Sequence, residues 1–280
     1  MKNEPAIIRQ QEKAALLHEL HHSGKLLLLP NIWDSLGARL LQDLGYPAVA
    51  TASASVAFAN GYDDGEHIPF AELLIILKKI VATVTVPVTA DIESGFAEND
   101  LQLKNNILQL LDTGIAGINI EDTNKQTGIL KPLEEQCASI KLIKNTCTEA
   151  GKQLFINART DVYLRSNIEN KLEETITRGL AYKDAGADCF YPIIMNKKKE
   201  IEQVVKAVQM PVNIIPVPGI PSLNELQDIG VARVSLGPSF LKTAIQAMKK
   251  LAIKLQQNEG IDDIIGNEIT SAYLHELVNK

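Results

Sequence analysis

The chain has 280 residues, 45% of them hydrophobic and 22% charged, enough apolar material for a globular core and too much for a disordered protein. Lys and Arg number 28 against 34 Asp and Glu, a net charge of −6 that repels phosphate backbones and anionic lipid, so nucleic acid and membranes are excluded as expected partners. No apolar run approaches the roughly 18 residues of a membrane span, and residues 1–12 are polar with no apolar leader, so a cytoplasmic location is expected.

In chain order, eight aliphatic or β-branched runs read as strands: 26–32, 48–53, 86–92, 117–122, 154–160, 189–194, 212–217 and 233–237. Helical patterns separate them at 34–44, 70–83, 99–113, 133–150, 169–185, 197–208, 222–229 and 238–257. Several strands are apolar throughout, as strands covered on both faces must be. Eight such alternations predict an α/β fold, a closed parallel (β/α)8 TIM barrel.

Turn chemistry fixes the phase. Gly45, Gly114, Gly151, Gly186 and Gly230 follow helical runs, where a left-handed C′ residue is expected. The loops after the strands are longer and more polar, at 60–67, 93–100, 123–132 and 161–167, which places candidate chemistry at the strand C-termini. A second C-terminal helix, at 261–278, is surplus to the eightfold count. The expected division is a barrel over 1–257 and a helical extension over 258–280 that packs across the barrel bottom or on another subunit, making a homo-oligomer. Cys137, Cys147 and Cys189 have no CxxC spacing and read as small buried hydrophobes, not as a disulfide framework or a thiolate metal site.

The sharpest chemical feature is a set of acids at consecutive strand ends. Asp91 and Glu93 close the third strand, and Glu121 and Asp122 the fourth. Residues i and i+2 of a strand share a face and adjacent strands lie under about 5 Å apart, so Asp91, Glu93 and Glu121 are expected together. Three facing carboxylates repel unless a proton or a cation intervenes, and an all-oxygen set suits Mg²⁺ or Mn²⁺. The same acids could instead cap the following helices or pair with lysines. Arg159, closing the fifth strand, can grip a substrate carboxylate or stabilise an enolate oxygen, or it can simply salt-bridge an acid. The small-residue stretch Thr51, Ala52, Ser53, Ala54, Ser55 offers N–H and hydroxyl donors to an anion, or forms a tight turn; Trp33 and Asp34 are candidates to line the same mouth.

These residues resemble the phosphoenolpyruvate mutase/isocitrate lyase superfamily, from about Leu26 to Phe240: Leu-Pro-Asn-Ile-Trp-Asp-Ser at 29–35, Thr-Ala-Ser-Ala-Ser-Val-Ala at 51–57, Gly-Tyr-Asp-Asp-Gly at 61–65, Thr-Ala-Asp-Ile-Glu-Ser-Gly-Phe at 89–96, Ile-Asn-Ile-Glu-Asp at 118–122, Asn-Ala-Arg-Thr-Asp at 157–161 and Val-Ser-Leu-Gly-Pro at 234–238. The resemblance implies a modified TIM barrel that exchanges its C-terminal helix between subunits of a dimer or tetramer. It implies Mg²⁺ held directly or through water by Asp91, Glu93 and Glu121, with Asp64 nearby. It also implies a 2-oxo or 2-hydroxy acid substrate whose cleavage passes through an enolate, with Ser53 and Ala54 at its carboxylate or phosphonate end and Arg159 at the oxo-acid portion.

The departures narrow this. The lyases of the family that use a Cys carry a Lys-Cys-Gly-His segment after the fourth-strand Glu-Asp; here 123–130 reads Thr-Asn-Lys-Gln-Thr-Gly-Ile-Leu, and the chain resembles the phosphonomutase-like branch without that segment. Thr123 stands where the mutases have Lys, and Glu93 where the best-studied branches have Asp. The expected activity is a Mg²⁺-dependent lyase cleaving a C–C bond of a small 2-oxo or 2-hydroxy dicarboxylic acid. The alternatives are a phosphonopyruvate-type C–P mutase or hydrolase and a non-catalytic 2-oxo acid binding barrel. Tyr62, Asn124, Lys125 and Thr127, on loops at the mouth, are candidates for handling the departing group or a proton.

Overall fold

In a computed structural model of the protein, which describes residues 10–279, the strand-like runs close into a ring of parallel strands. One sheet has the order β1 (Leu27–Leu29), β9 (Arg233–Ser235), β8 (Asn213–Ile214). The other runs β2 (Asn31–Ile32), β3 (Val49–Thr51), β4 (Val88–Asp91), β5 (Gly117–Glu121), β6 (Phe155–Thr160), β7 (Cys189–Pro192). A parallel bridge from Phe190 to Val212 joins β7 to β8, and β1 and β2 are two halves of one stave parted at Pro30, so the ring has eight staves.

The break at Pro30 follows from its missing N–H, which ends the ladder. β1 pairs only with β9, up to Leu29 opposite Ser235, and β2 only with β3. The Asn31 side chain closes the seam: its Nδ2 donates to the Thr51 carbonyl at 2.7 Å, and its Oδ1 accepts from the backbone N–H of Leu236 and Gly237 at 2.8 and 3.0 Å.

Helices α2 (Ser35–Asp43), α4 (Phe70–Thr83), α5 (Asp100–Asp112), α6 (Leu133–Glu149), α7 (Lys171–Ala185), α8 (Lys198–Val208) and α9 (Leu223–Asp228) form the outer layer. Asp34 and Asn99 cap α2 and α5 through their side chains, and Ser222 and Glu225 form a capping box on α9. The five glycines expected after helices all take positive φ, Gly186 at 104° as the left-handed cap of α7. The main core lies between ring and helices, with Ile118, Ile120, Ile156, Tyr182, Phe190, Val204 and Val234 among its members.

Four elements differ from the expectations. Helix α1 (Gln10–His21), absent from the predicted elements, plugs the N-terminal end of the barrel: Ala14 and Leu17 pack with Leu27, Leu29, Ala48, Ala50, Phe155 and Cys189. Gly117 makes the room, because a Cβ there would meet Leu17 at 2.8 Å and the Phe155 carbonyl at 2.9 Å. The strand expected over 48–53 ends at Thr51, and from Ser53 the chain forms helix α3 (Ser53–Ala59). The predicted helix over 261–278 is two, α11 (Ile261–Ile265) and α12 (Ser271–Asn279). The segment preceding them, α10 (Ser239–Gln256), has only Leu241 buried. α12 rests on α2, with Leu277 buried and Tyr273 hydroxyl 3.5 Å from Asp43. Of the polar N-terminus read over 1–12, residues 1–9 lie outside the described residues. Among the described residues no helix is long and apolar enough to cross a membrane.

Candidate active site

The C-terminal ends of β4, β5 and β6 bring the chemistry together, because their register sets Asp91 beside Asn119 and Glu121 beside Arg159. Side chains alternate along β5, so Glu121 faces the barrel interior and Asp122 the helix layer. Asp122 is fully buried and fully used: its carboxylate accepts from Thr160 hydroxyl at 2.6 Å, Tyr182 hydroxyl at 2.7 Å, Arg178 at 3.2 Å and the Asp161 N–H at 2.8 Å. That network locks the ends of β5 and β6 to α7, and with them Glu121 and Arg159.

Arg159 reaches Glu121 with Nη1 at 2.7 Å and Asp161 with Nε at 2.7 Å. Asp161 Oδ2 in turn accepts from Thr123 hydroxyl at 2.5 Å, and Arg165 also binds Thr123. The other oxygen of Glu121 lies 2.5 Å from Lys125 Nζ, which also approaches Glu93 at 2.8 Å. Lys125 is thus clasped between two acids whose side chains are each 2% exposed. Burial pushes the Glu93 carboxyl up to about 7 against the pull of Lys125, and it pushes Glu121 up against Arg159 and Lys125. Burial opposes the charges of Lys125 and Arg159, but the surrounding carboxylates outweigh it and raise both above their ordinary values.

Glu93 arrives by a different route from the one expected. β4 ends at Asp91, and Glu93 sits two residues on in a turn with φ 52°, a left-handed conformation uncommon outside glycine. The i, i+2 argument therefore fails for this pair. The turn is held by Glu66, itself at φ 65°, whose carboxylate accepts from Ser94 N–H and hydroxyl and from Phe96 N–H at 2.7–2.9 Å, while its own N–H donates to Glu93 Oε1 at 2.8 Å. The Glu93 carbonyl accepts the Glu121 N–H at 2.8 Å, which ties the two acids' backbones. Glu66 was not among the sequence candidates, because a clasp between two loops leaves no periodic signature.

Asp91 turns toward α3, accepting from Ser53 N–H at 3.3 Å and Ser53 hydroxyl at 3.2 Å. Asp64 stands near this group; partial desolvation and the adjacent Asp91 raise its carboxyl, while Ser53, Lys125 and Arg159 oppose the rise. Ser53 and Ala54 open α3 beside the cluster, whereas Ser55 is fully buried and its hydroxyl has no hydrogen-bond partner, which removes it from the mouth. Three further candidates are engaged elsewhere. Tyr62 hydroxyl donates to Glu72 of α4 at 3.0 Å, Asn124 caps its own turn by accepting from Gln126 and Thr127 N–H at 3.0 Å each, and Thr127 hydroxyl accepts the Ile129 N–H at 3.3 Å. Trp33 packs half-buried on the main core and, with Asp34, lines a cleft of about 300 Å³ with Ala59 and Ile76, a lining that includes none of the clustered acids.

The acids do not meet at one bare point. Glu93 and Glu121 meet at Lys125, Asp91 faces Ser53, and among the described residues no three His, Cys, Asp or Glu side chains converge to cage an ion. The donor chemistry nonetheless fits a hard divalent cation. All donors are oxygen; both Glu121 oxygens and Glu93 Oε2 are buried with ionic contacts but no aligned hydrogen bond. Five carboxyl groups, Asp64, Asp91, Glu93, Glu121 and Asp161, face Lys125, Arg159 and, at 3.9 Å, Arg165, with Lys131 and Arg233 within electrostatic reach of Glu121 and Asp91. The cysteines stand apart: Cys189 is buried in the barrel floor with its thiol pushed up to about 12 by desolvation, and Cys137 and Cys147 lie on α6.

A family model described as phosphoenolpyruvate phosphomutase matches residues 17–256, the whole ring with its strand-end acids. The chain belongs to the phosphoenolpyruvate mutase/isocitrate lyase superfamily, whose members include lyases and phosphomutases. A Burkholderia cenocepacia structure provisionally named a phosphonomutase superposes with a TM-score of 0.81 at 39% identity, covering 88% of this chain and 99% of that one. An uncharacterized protein of Mycobacterium tuberculosis is 34% identical over 221 residues, 79% of this chain and 81% of the relative. The 2-methylisocitrate lyase of Bacillus subtilis is 26% identical over 270 residues, 91% of this chain and 87% of the relative.

Proposed function

We propose that the protein is a Mg²⁺- or Mn²⁺-dependent lyase that cleaves a C–C bond of a small 2-oxo or 2-hydroxy dicarboxylic acid through an enolate. The observation that carries this reading is the fixed guanidinium of Arg159, braced by Glu121 and Asp161 at the rim of a cluster of buried carboxyl groups. Asp91, Glu93 and Glu121 are the residues that would hold a divalent cation, which would supply Lewis acidity to the substrate's oxygens. Arg159 orients the oxo-acid portion and stabilises the oxygen on which charge develops as the bond breaks. Ser53 and the Ala54 N–H receive the far carboxylate. Asp64, its carboxyl raised, accepts the hydroxyl proton of a 2-hydroxy acid, and the Lys125 ammonium, once clear of Glu93 and Glu121, returns a proton to the carbanion carbon.

Turnover of a panel of 2-oxo and 2-hydroxy acids, with Mg²⁺ and with EDTA, tests the assignment. Activity is expected on a dicarboxylic member, lost on chelation and in Asp91→Ala; activity surviving both treatments overturns it. The match to the phosphomutase family model favours a second reading, a mutase or hydrolase acting at phosphorus, and turnover of phosphonopyruvate in preference to oxaloacetate selects it. A ligand that raises Tm with Mg²⁺ yet is recovered unchanged after long incubation selects a binding barrel instead.

We read residues 1–257 as the catalytic barrel and 258–280 as its extension, in a cytoplasmic homo-oligomer, dimer or tetramer. Supporting the assembly, α10 leaves Ile245, Met248 and Ile253 exposed, and an apolar cleft runs along it past Phe58 and Leu241.

A further inference from the structure

We propose that Lys125 is a tethered counter-ion that competes with the divalent cation for Glu93 and Glu121, so that metal entry and release of the Lys125 side chain are one event. The inference rests on the metal reading above and adds a device to it.

The geometry is that of an occupied seat. Lys125 Nζ lies 2.8 Å from Glu93 and 2.5 Å from Glu121, and the side-chain exposures are 20% for the lysine and 2% for each acid. Two nearly buried carboxylates this close to one cation cannot both stay ionised without it. A dication entering the same pair would stand within a few ångströms of an ammonium, and the repulsion between them in a partly desolvated site forces one to leave. The lysine is built to leave. It sits in a hairpin closed on itself by the Thr123–Leu130 bridge, Asn124 N–H to Ile129 carbonyl at 2.9 Å and Gly128 N–H to Asn124 carbonyl at 2.8 Å, so the loop holds its shape while its charged arm lets go. The base of the hairpin is anchored, Thr123 to Asp161 and Arg165 and the Lys131 carbonyl to Arg178, whereas its tip has only Arg165 to the Gly128 carbonyl at 2.7 Å and Gln126 to Glu98 at 3.3 Å, both exposed. Glu93 and Glu121 stay behind, fixed by the Glu66 clasp and by β5. Without metal the lysine answers the acids; with metal it is freed toward the substrate, where a proton donor is needed.

Mn²⁺ titration followed by the electron paramagnetic resonance of the free ion tests this without turnover. Lys125→Met is expected to bind Mn²⁺ at least ten-fold more tightly than the parent chain, and affinity equal to or weaker than the parent's overturns the competition. Acetylation of Lys125, followed by mass spectrometry in the unaltered protein, gives a second reading that needs no variant: saturating Mn²⁺ is expected to accelerate labelling at least ten-fold, and an unchanged or slower rate overturns the release. Absence of Mn²⁺ binding in both the parent and Lys125→Met defeats the metal reading itself, whereas tight binding abolished by Asp91→Asn but indifferent to Lys125 keeps that reading and defeats only the present inference.

Discussion

Arg159 shows how one strand-end residue carries both fold and chemistry. Its Nη1 and Nε serve two different acids, a division of labour that depends on a planar fork and that an ammonium cannot copy. Arg159→Lys is expected to lower kcat at least 100-fold with Tm little changed, whereas Arg159→Ala strands Glu121 and is expected to destabilise by about 3–5 kcal/mol in urea unfolding. Equal losses of stability in both variants would make the residue a structural brace alone. Asp91, Glu121 and Arg159 were legible in the sequence because strand register places the closing residues of each stave. Glu93 and Lys125 were legible as residue types but not as a pair, since a left-handed turn and a hairpin bring them together and neither follows a period. A lysine partner for the acids and a salt bridge for Arg159 are the alternatives to ligand binding that the residue types allow, and the structure contains both.

At the scale of elements, the strands and the eight helices that follow them were legible because buried parallel strands are apolar throughout and three of the helices begin at Asp34, Asn99 and Ser222, all good caps. Helix α1 was not, because its inward stripe of Lys13, Ala14, Leu17 and His21 contains two ionisable residues and reads as polar. His21 is a measurable consequence of that burial. Desolvation, aided by the like charge of Arg233, lowers its pKa from 6.5 to about 3, while its Nδ1 keeps a 2.7 Å bond to the Leu17 carbonyl. Between these values the unfolded chain binds the proton and the native protein does not. The contribution is therefore intact above pH 6.5 and is lost as pH falls from 6.5 toward 3, at up to about 1.4 kcal/mol per pH unit. His21→Phe keeps the ring contact with Phe155 and is expected to lose about 2 kcal/mol less than the parent between pH 6 and 4 in urea unfolding. Parallel acid limbs for the two proteins would place the titrating group elsewhere.

For the whole molecule, α10 is the telling piece. It is an 18-residue helix with a single buried side chain, and its face at Ile245, Met248 and Ile253 is unsuited to water. The proposed assembly makes two measurements decisive. Tm is expected to rise with protomer concentration, and Ile245→Asp with Ile253→Asp is expected to reduce the sedimenting species to one chain. A concentration-independent Tm and an unchanged sedimentation coefficient would return α10 to the role of a solvent-facing helix. The sequence signalled a surplus helix from the count alone, but which surface each helix covers depends on long-range packing that no local pattern encodes.

The Asn31 stitch joins positions 205 residues apart. During synthesis the opening stave therefore leaves the ribosome long before its closing neighbour exists, and the growing sheet passes through an arc with two bare margins. Such an arc is sticky, and late closure across so long a contour is slow. Nascent chains paused ahead of Leu236 should thus be the ones that recruit chaperones, and a weakened stitch should first reveal itself as poor yield of folded protein, with chemistry untouched in the molecules that close.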